Sequence, residues 1–391
     1  MNMSKNVVYL DNNATTRVAP EVLEAMLPFL TDFYGNASSI HRFGGQVHKA
    51  IDQAREQVAS LLGALPEEIV FTSCGTESDN AAVLSALQND VSRRTVVTTR
   101  VEHPAILGLC SVLQERGYHI EYCPVNGKGM LCLDRICEMI DEQTAIVSVM
   151  WANNETGNIY PAINLADIAH ERGALFHTDA VQAVGKVPID LAKTNIDFLS
   201  LSGHKLHAPK GVGALYVRKG VRFSPFMIGG HQEEGLRAGT ENVAGIVALG
   251  RAAVLAAANM EEERTRVAAL RDRLEAGLLG SCPNARVNGN PSSRLPNTTN
   301  ISFEFVEGES ILLMLDQFSI AASSGSACTS GSLEPSHVLR AMGVPYTAAH
   351  GSIRFSLSRY NTDDDVDLVL EKMPPIIRRL REISPFGRDQ L

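Results

Sequence analysis

Apolar positions Val47, Ala50, Ile51, Ala54, Val58, Leu61 and Leu62 recur every three or four residues and stop at Gly63. That spacing predicts an amphipathic helix closed by a left-handed glycine. Short apolar runs then alternate with helical stretches, and Ile69–Thr72, Thr95–Thr99, Ala145–Met150, Ala174–Thr178, Asp197–Ser202 and Gly213–Val217 read as buried strands. The alternation predicts a mostly parallel sheet covered on both faces, with ligands gathered at the carboxyl ends of its strands.

From about Met260 the pattern changes. A charged helix to Leu279 is followed by an extended run Asn300–Phe305, a helix near Gly308–Gln317, extended runs Ser319–Ala322 and Ser352–Leu357, and a last helix opened by Thr362-Asp363-Asp364-Asp365. The expectation is an α/β protein with a large domain over 17–259 and a smaller α+β domain made of 1–16 with 260–391. Pro374 and Pro375 should kink the last helix, and the tail from Ser384 should be loosely held.

The composition, 45% hydrophobic and 20% charged over 391 residues, is that of a soluble globular chain. A formal charge of -9 without a long Lys/Arg run argues against nucleic acid as a partner. The amino terminus has no cationic segment leading into an apolar one, and Arg251 interrupts the apolar run Val243–Met260, so no membrane is expected and the location expected is cytoplasmic. Seven cysteines with no CxxC pair fit neither a disulfide framework nor a zinc site, and no metal is expected.

Chemistry concentrates at the predicted strand ends. Phe198–Lys205 leads from a buried strand through small residues to His204 and Lys205; an amine held at a sheet edge is partly desolvated and can act as a Schiff-base nucleophile. A lone lysine in a turn is ordinarily solvated, so its neighbours decide. Asp179 directly follows another apolar strand, where a carboxylate can face the pyridine nitrogen of a pyridoxal ring, and Gln182 can donate to the ring's phenolic oxygen. Thr72-Ser-Cys-Gly-Thr76 precedes a helix expected from Asn80, a suitable cup for a phosphate. His103 can stack on the ring, and Asn154 can aim an amide at ring or substrate. Each has an ordinary loop reading when taken singly, and their joint occurrence is what points to one cofactor.

Two further positions concern the substrate. Cys328 sits in Ser323-Ser-Gly-Ser-Ala-Cys-Thr-Ser-Gly-Ser332, a composition suited to an exposed loop that carries a nucleophile. Arg354 lies among apolar neighbours and needs an anion, either a substrate carboxylate or a structural partner.

With these stretches the chain resembles the NifS-type cysteine desulfurases of the class V aminotransferase family, from Tyr9 to about Pro385. The resemblance is carried by Tyr9-Leu-Asp-Asn-Asn-Ala-Thr-Thr16, Phe71-Thr-Ser-Cys-Gly-Thr-Glu-Ser78, Val101-Glu-His-Pro104, Met150-Trp-Ala-Asn-Asn-Glu-Thr-Gly157, His177-Thr-Asp-Ala-Val-Gln-Ala-Val-Gly185, Leu201-Ser-Gly-His-Lys-Leu-His-Ala-Pro-Lys-Gly211 and the Cys328 loop. It implies an aspartate aminotransferase-like, fold type I transferase using pyridoxal 5'-phosphate. By the same resemblance Lys205 is the Schiff-base lysine, His103 stacks on the ring, Asp179 faces its nitrogen and Gln182 its phenolic oxygen. Gly75, Thr76, Ser202 and His204 are implied at the phosphate, Asn154 at cofactor or substrate, and Arg354 at the substrate carboxylate. Thr240 is implied at the phosphate of a neighbouring subunit, hence a homodimer.

The implied reaction removes sulfur from L-cysteine as a persulfide on Cys328, leaving alanine, with the sulfur delivered to an iron–sulfur scaffold protein, most closely as in nitrogenase maturation. The tail 384–391 does not look like the scaffold-docking tail of the IscS branch. A housekeeping IscS-like desulfurase, or a selenocysteine lyase or aminotransferase of the same fold, would share the cofactor residues; a sulfur carrier using Cys328 alone would not need them.

Overall fold

The computed structural model describes residues 7–324 and 335–384. The first predicted helix forms over Arg42–Leu62 and ends at Gly63, whose φ of 63° is the left-handed conformation that favours glycine. Its buried face includes Val47, Ile51, Ala54, Val58 and Leu62. Against it packs the helical stretch Val243–Ser281, and the two approach so closely that a Cβ on Gly250 would sit 2.6 Å from the Ala54 Cα.

Val243–Ser281 is long and apolar enough to cross a bilayer by composition, yet its Ile246, Leu249, Ala252 and Ala253 are core residues here. It continues past Met260 through a π turn at Glu263–Val267. The change of pattern near Met260 is therefore a change of packing partner within one helical stretch: Val267, Leu270, Leu274 and Leu278 belong to a different hydrophobic cluster.

The described chain starts with β1 (Val8–Tyr9). Strands β2 (Ile69–Thr72), β3 (Thr95–Thr99), β4 (His119–Cys123), β5 (Thr144–Ser148), β6 (Leu175–Asp179), β7 (Phe198–Ser202) and β8 (Gly213–Val217) build a seven-stranded sheet in the order β2-β8-β7-β6-β5-β3-β4. Only β8 runs against the rest, pairing antiparallel with both β2 and β7. The mostly parallel α/β architecture expected from the pattern is thus present. Sequence periodicity missed β4, an edge strand whose His119 is exposed and whose Glu121 and Tyr122 are half-buried, so it carries no continuous apolar run.

Strands β9 (Ala285–Asn288), β10 (Thr298–Phe303), β11 (Ile320–Ala321), β12 (Ser323–Ser324) and β13 (Ser352–Ser356) follow. β12-β13-β10-β9 is an antiparallel sheet, and β11 pairs in parallel with β1. Ile301, Phe303, Ile353 and Phe355 from this sheet pack with Leu270 and Leu274, with Val366, Val369 and Met373 of the last helix, and with Val8 and Leu10. That helix spans Asp363–Ile383 and begins with a reciprocal cap between Thr362 and Asp365; Pro374 and Pro375 lie inside it without ending it. The tail beyond Ser384 lies outside the described residues.

Candidate active site

Five strands of the central sheet, β2, β3, β5, β6 and β7, deliver their carboxyl ends to one edge, and the chain beyond each end lines a single cavity of about 340 Å³. β7 ends at Ser202 and passes through a 3-10 turn, Gly203–Lys205, that turns the lysine into this cavity. Lys205 Nζ donates to the main-chain oxygens of Asn13 and, at 2.7 Å, Ala14. Those carbonyls belong to the amino-terminal segment, which pairs with β11 through β1 and is fastened to β13 by the Asn12 N–H, donating to the Ser356 carbonyl at 3.1 Å.

β6 ends at Asp179, which is buried; Asp179 Oδ1 accepts the Val181 N–H at 2.9 Å. Burial, and next the buried Asp79, push the Asp179 carboxyl up to about 6. Burial likewise lifts Asp79 to about 7 and Glu102 to about 8. Below them the His177 ring, held down to about 4 by burial, has Ser148 Oγ 2.9 Å from Nδ1 and Ser200 Oγ 3.0 Å from Nε2. Burial thus favours the protonated forms of these acids, and a protonated pyridine ring beside Asp179 would favour its ionised form. Gln182 Nε2 donates to the Asn13 carbonyl at 2.9 Å, leaving its Oε1 buried with no partner.

The helix expected from Asn80 starts five residues earlier, at Gly75, so Gly75 and Thr76 form its first turn and its dipole points at the cavity. Glu77 in that turn would repel an anion, but Arg237 Nε pairs with its Oε1 at 2.9 Å and holds its carboxyl down. Beside this turn the Ser202 hydroxyl is buried and unpartnered. A Cβ on Gly75 would stand 2.8 Å from Val181 Cγ2 and 3.7 Å from Ser202 Cβ, filling the cradle. An unpaired hydroxyl, a bare glycine and a helix N-terminus together fit a phosphate. His204 also lines the cavity; burial, then the positive charge of Lys205, lowers its ring to about 4.

His103 follows β3 and caps the helix Pro104–Glu115 with its ring. Asn154 lies in the turn after β5, and its main-chain oxygen accepts from Arg354 Nη1 at 3.0 Å. Arg354 Nη2 also pairs with Asp11 Oδ1 at 2.8 Å, so the structural ion pair is present at a guanidinium that lines the cavity. One cavity therefore holds Gly75, Thr76, His103, Asn154, Asp179, Gln182, Ser202, His204, Lys205 and Arg354. Thr240 is exposed and does not line it. Cys328 lies outside the described residues. Among the described residues no cluster of metal-ligating side chains occurs.

Asn13, Ala14, Cys74 and Asp79 also line the cavity, and the sequence reading gave none of them a role. Asn13 and Ala14 act through main-chain oxygens, which leave no trace in side-chain type; the Asp11–Thr15 stretch was visible only as a motif. Asp79 stands inside a helix where a carboxylate ordinarily faces water.

Residues 8–369 match the family model for class-V aminotransferases. The chain belongs to that family. Its members depend on pyridoxal phosphate, which the orphaned Ser202 hydroxyl, the Gly75 cradle and Asp179 fit. A relative from Azotobacter vinelandii, cysteine desulfurase NifS, is 60% identical over 380 residues, covering 97% of this chain and 94% of that one. A solved NifS-like protein superposes with a TM-score of 0.90 at 40% identity, covering 96% of this chain and all of the other. A solved structure described as SspA in complex with cysteine gives 0.79 at 34% identity, covering 90% and 99%.

Proposed function

We propose that this class-V aminotransferase is a cysteine desulfurase whose site lies between a large lobe, 17–259, and a small lobe of 1–16 with 260–391. The observation that carries the reading is the single cavity joining Lys205, Asp179, the Gly75–Ser202 cradle and Arg354. The near full-length likeness to a NifS desulfurase supplies the reaction class.

Gly75, Thr76, Ser202 and His204 would hold the cofactor phosphate, His103 one ring face, Asp179 the ring nitrogen and Gln182 the phenolic oxygen. Pyridoxal phosphate supplies an electron sink for negative charge at the substrate α-carbon. Arg354 receives the carboxylate of L-cysteine, and Asn154 bounds the substrate beside it. Lys205, whose Nζ donates to the Ala14 carbonyl, would take and return the α-proton. The Cys328 thiolate attacks the substrate sulfur: an S–S bond forms as the C–S bond breaks, the electron pair stays on carbon, and protonation there leaves L-alanine. The persulfide on Cys328 then passes its terminal sulfur to an iron–sulfur scaffold, with nitrogenase maturation favoured by the NifS name of the Azotobacter relative. An exposed Thr240 is available to the phosphate site of a second copy in a homodimer. A net charge of -9 and the burial of Ile246, Leu249, Ala252 and Ala253 within the apolar stretch Val243–Met260 support a cytoplasmic location.

The test is to incubate the purified protein with L-cysteine and locate the added sulfur by mass spectrometry. Sulfur on Cys328, with alanine release lost in Cys328→Ala, supports the reading. Undiminished alanine release by that variant in the presence of a dithiol refutes it.

A further inference from the structure

Arg354 is 2% exposed, at the middle of β13, and its guanidinium is only partly engaged. Nη2 donates to Asp11 Oδ1 at 2.8 Å and Nη1 to the Asn154 carbonyl at 3.0 Å, while the buried Nε has no partner among the described residues. The contact to Asp11 uses one carboxylate oxygen and leaves Nε unengaged. Asp11 is less enclosed than Arg354: its side chain is 20% exposed, and its backbone bridges to Ser356.

A second acid, Glu155, lies near Arg354 but is not in ion-pair contact; Ser336 Oγ donates to it, and burial keeps its carboxyl up at about 7. Tyr9, beside Asp11, is likewise kept neutral, pushed up to about 12 by burial and next by Asp11. Asp11 is therefore the charge that meets Arg354 directly.

We infer that Asp11 is a positioning residue that sets how tightly this site grips an amino acid's carboxylate, holding the Arg354 guanidinium in place while offsetting its charge. The inference rests on the proposed role of Arg354. With Asp11 ionised, the pair is neutral before a ligand arrives, and a carboxylate entering the cavity that Arg354 lines meets one cation and one nearby anion. With Asp11 uncharged, the same carboxylate meets a buried, uncompensated cation and binds more tightly. Substrate and product share this carboxylate, so the cost falls on both, and its benefit is that L-alanine leaves. Asp11 weakens binding to keep turnover going.

Calorimetric titration of the cofactor-loaded protein with L-alanine tests this on wild type, Asp11→Asn, Asp11→Glu and Arg354→Gln. Asp11→Asn keeps an oxygen for Arg354 Nη2 and removes only the charge. It is expected to bind alanine about tenfold more tightly, with a lower KM for cysteine and no gain in kcat. Asp11→Glu restores the charge and should return to wild-type affinity, and alaninamide, which lacks the carboxylate, should bind wild type and Asp11→Asn alike. Structural damage does not tighten a ligand. If Asp11→Asn binds alanine no better than wild type, or fails to fold, Asp11 is a structural counter-ion only and the inference is overturned. If Arg354→Gln leaves alanine affinity unchanged, the role proposed for Arg354 is what fails.

Discussion

His103 Nδ1 accepts the Ala105 N–H at 3.1 Å, so the ring that borders the cavity is also the cap of the helix Pro104–Glu115. A neutral ring bonded in this way carries its proton on Nε2. The two duties are separable. His103→Ala should destabilise the cofactor-free protein by about 1 kcal/mol, the usual worth of a side-chain cap, and should also weaken cofactor binding. His103→Asn restores the cap without a ring, so denaturant melts should recover while cofactor affinity does not. Recovery of both in the asparagine variant would remove the ring from the cofactor's surroundings.

Ser202 offers the opposite test, because its buried hydroxyl has no partner in the protein alone. Ser202→Ala should leave the cofactor-free protein as stable as wild type, or more so, since an unpaired buried hydroxyl costs free energy. Its cofactor affinity should drop about fivefold, the loss of one hydrogen bond worth about 1 kcal/mol. Absorbance titration with pyridoxal phosphate reads the second effect. A destabilised protein with unchanged affinity would mean that the hydroxyl serves the fold.

The strand ends were legible because a buried parallel strand is a run of apolar residues whose termination is abrupt: the expected Asp197–Ser202 and Ala174–Thr178 lie within one residue at each end of the observed β7 and β6, which lead to Lys205 and Asp179. Gly75 was legible as part of a phosphate cup but not as the helix start, since glycine is a poor helix former and only the ligand site favours it there. What sequence did not give was closure. The grip of Asn13 and Ala14 carbonyls on Lys205, and of Asp11 on Arg354, joins positions up to 343 residues apart through geometry that no local pattern encodes.

Lys205 is expected to carry the cofactor covalently. Borohydride reduction of the loaded protein, followed by digestion and mass spectrometry, should place the cofactor mass on the Lys205 peptide, and Lys205→Ala should retain none after denaturation. Cofactor found on Lys186 instead, the buried amine that burial lowers to about 8, would reassign the anchor.

The buried acids beneath the site give the cofactor-free protein a characteristic response to pH. In the fold, burial holds Asp79 up at about 7 and Glu102 at about 8, well above an unfolded carboxyl near 4. A raised carboxyl keeps its proton in the folded chain after the unfolded chain has released its own, so its stabilising contribution is complete at low pH and is lost as pH rises through the folded value. The His177, His204 and His207 rings work in the other direction, each held down to about 4 chiefly by burial, but their effect lies mainly below about 6.5, where an unfolded histidine takes up its proton. Between about pH 6.5 and 7.5 the acids decide the sign. The melting temperature of the cofactor-free protein should therefore fall across that interval, and Asp79→Asn, which cannot ionise, should flatten the fall. A melting temperature that rises from pH 6.5 to 7.5 in both proteins would show that Asp79 and Glu102 are already ionised in the empty site, stabilised by a neighbouring cation rather than held neutral by burial.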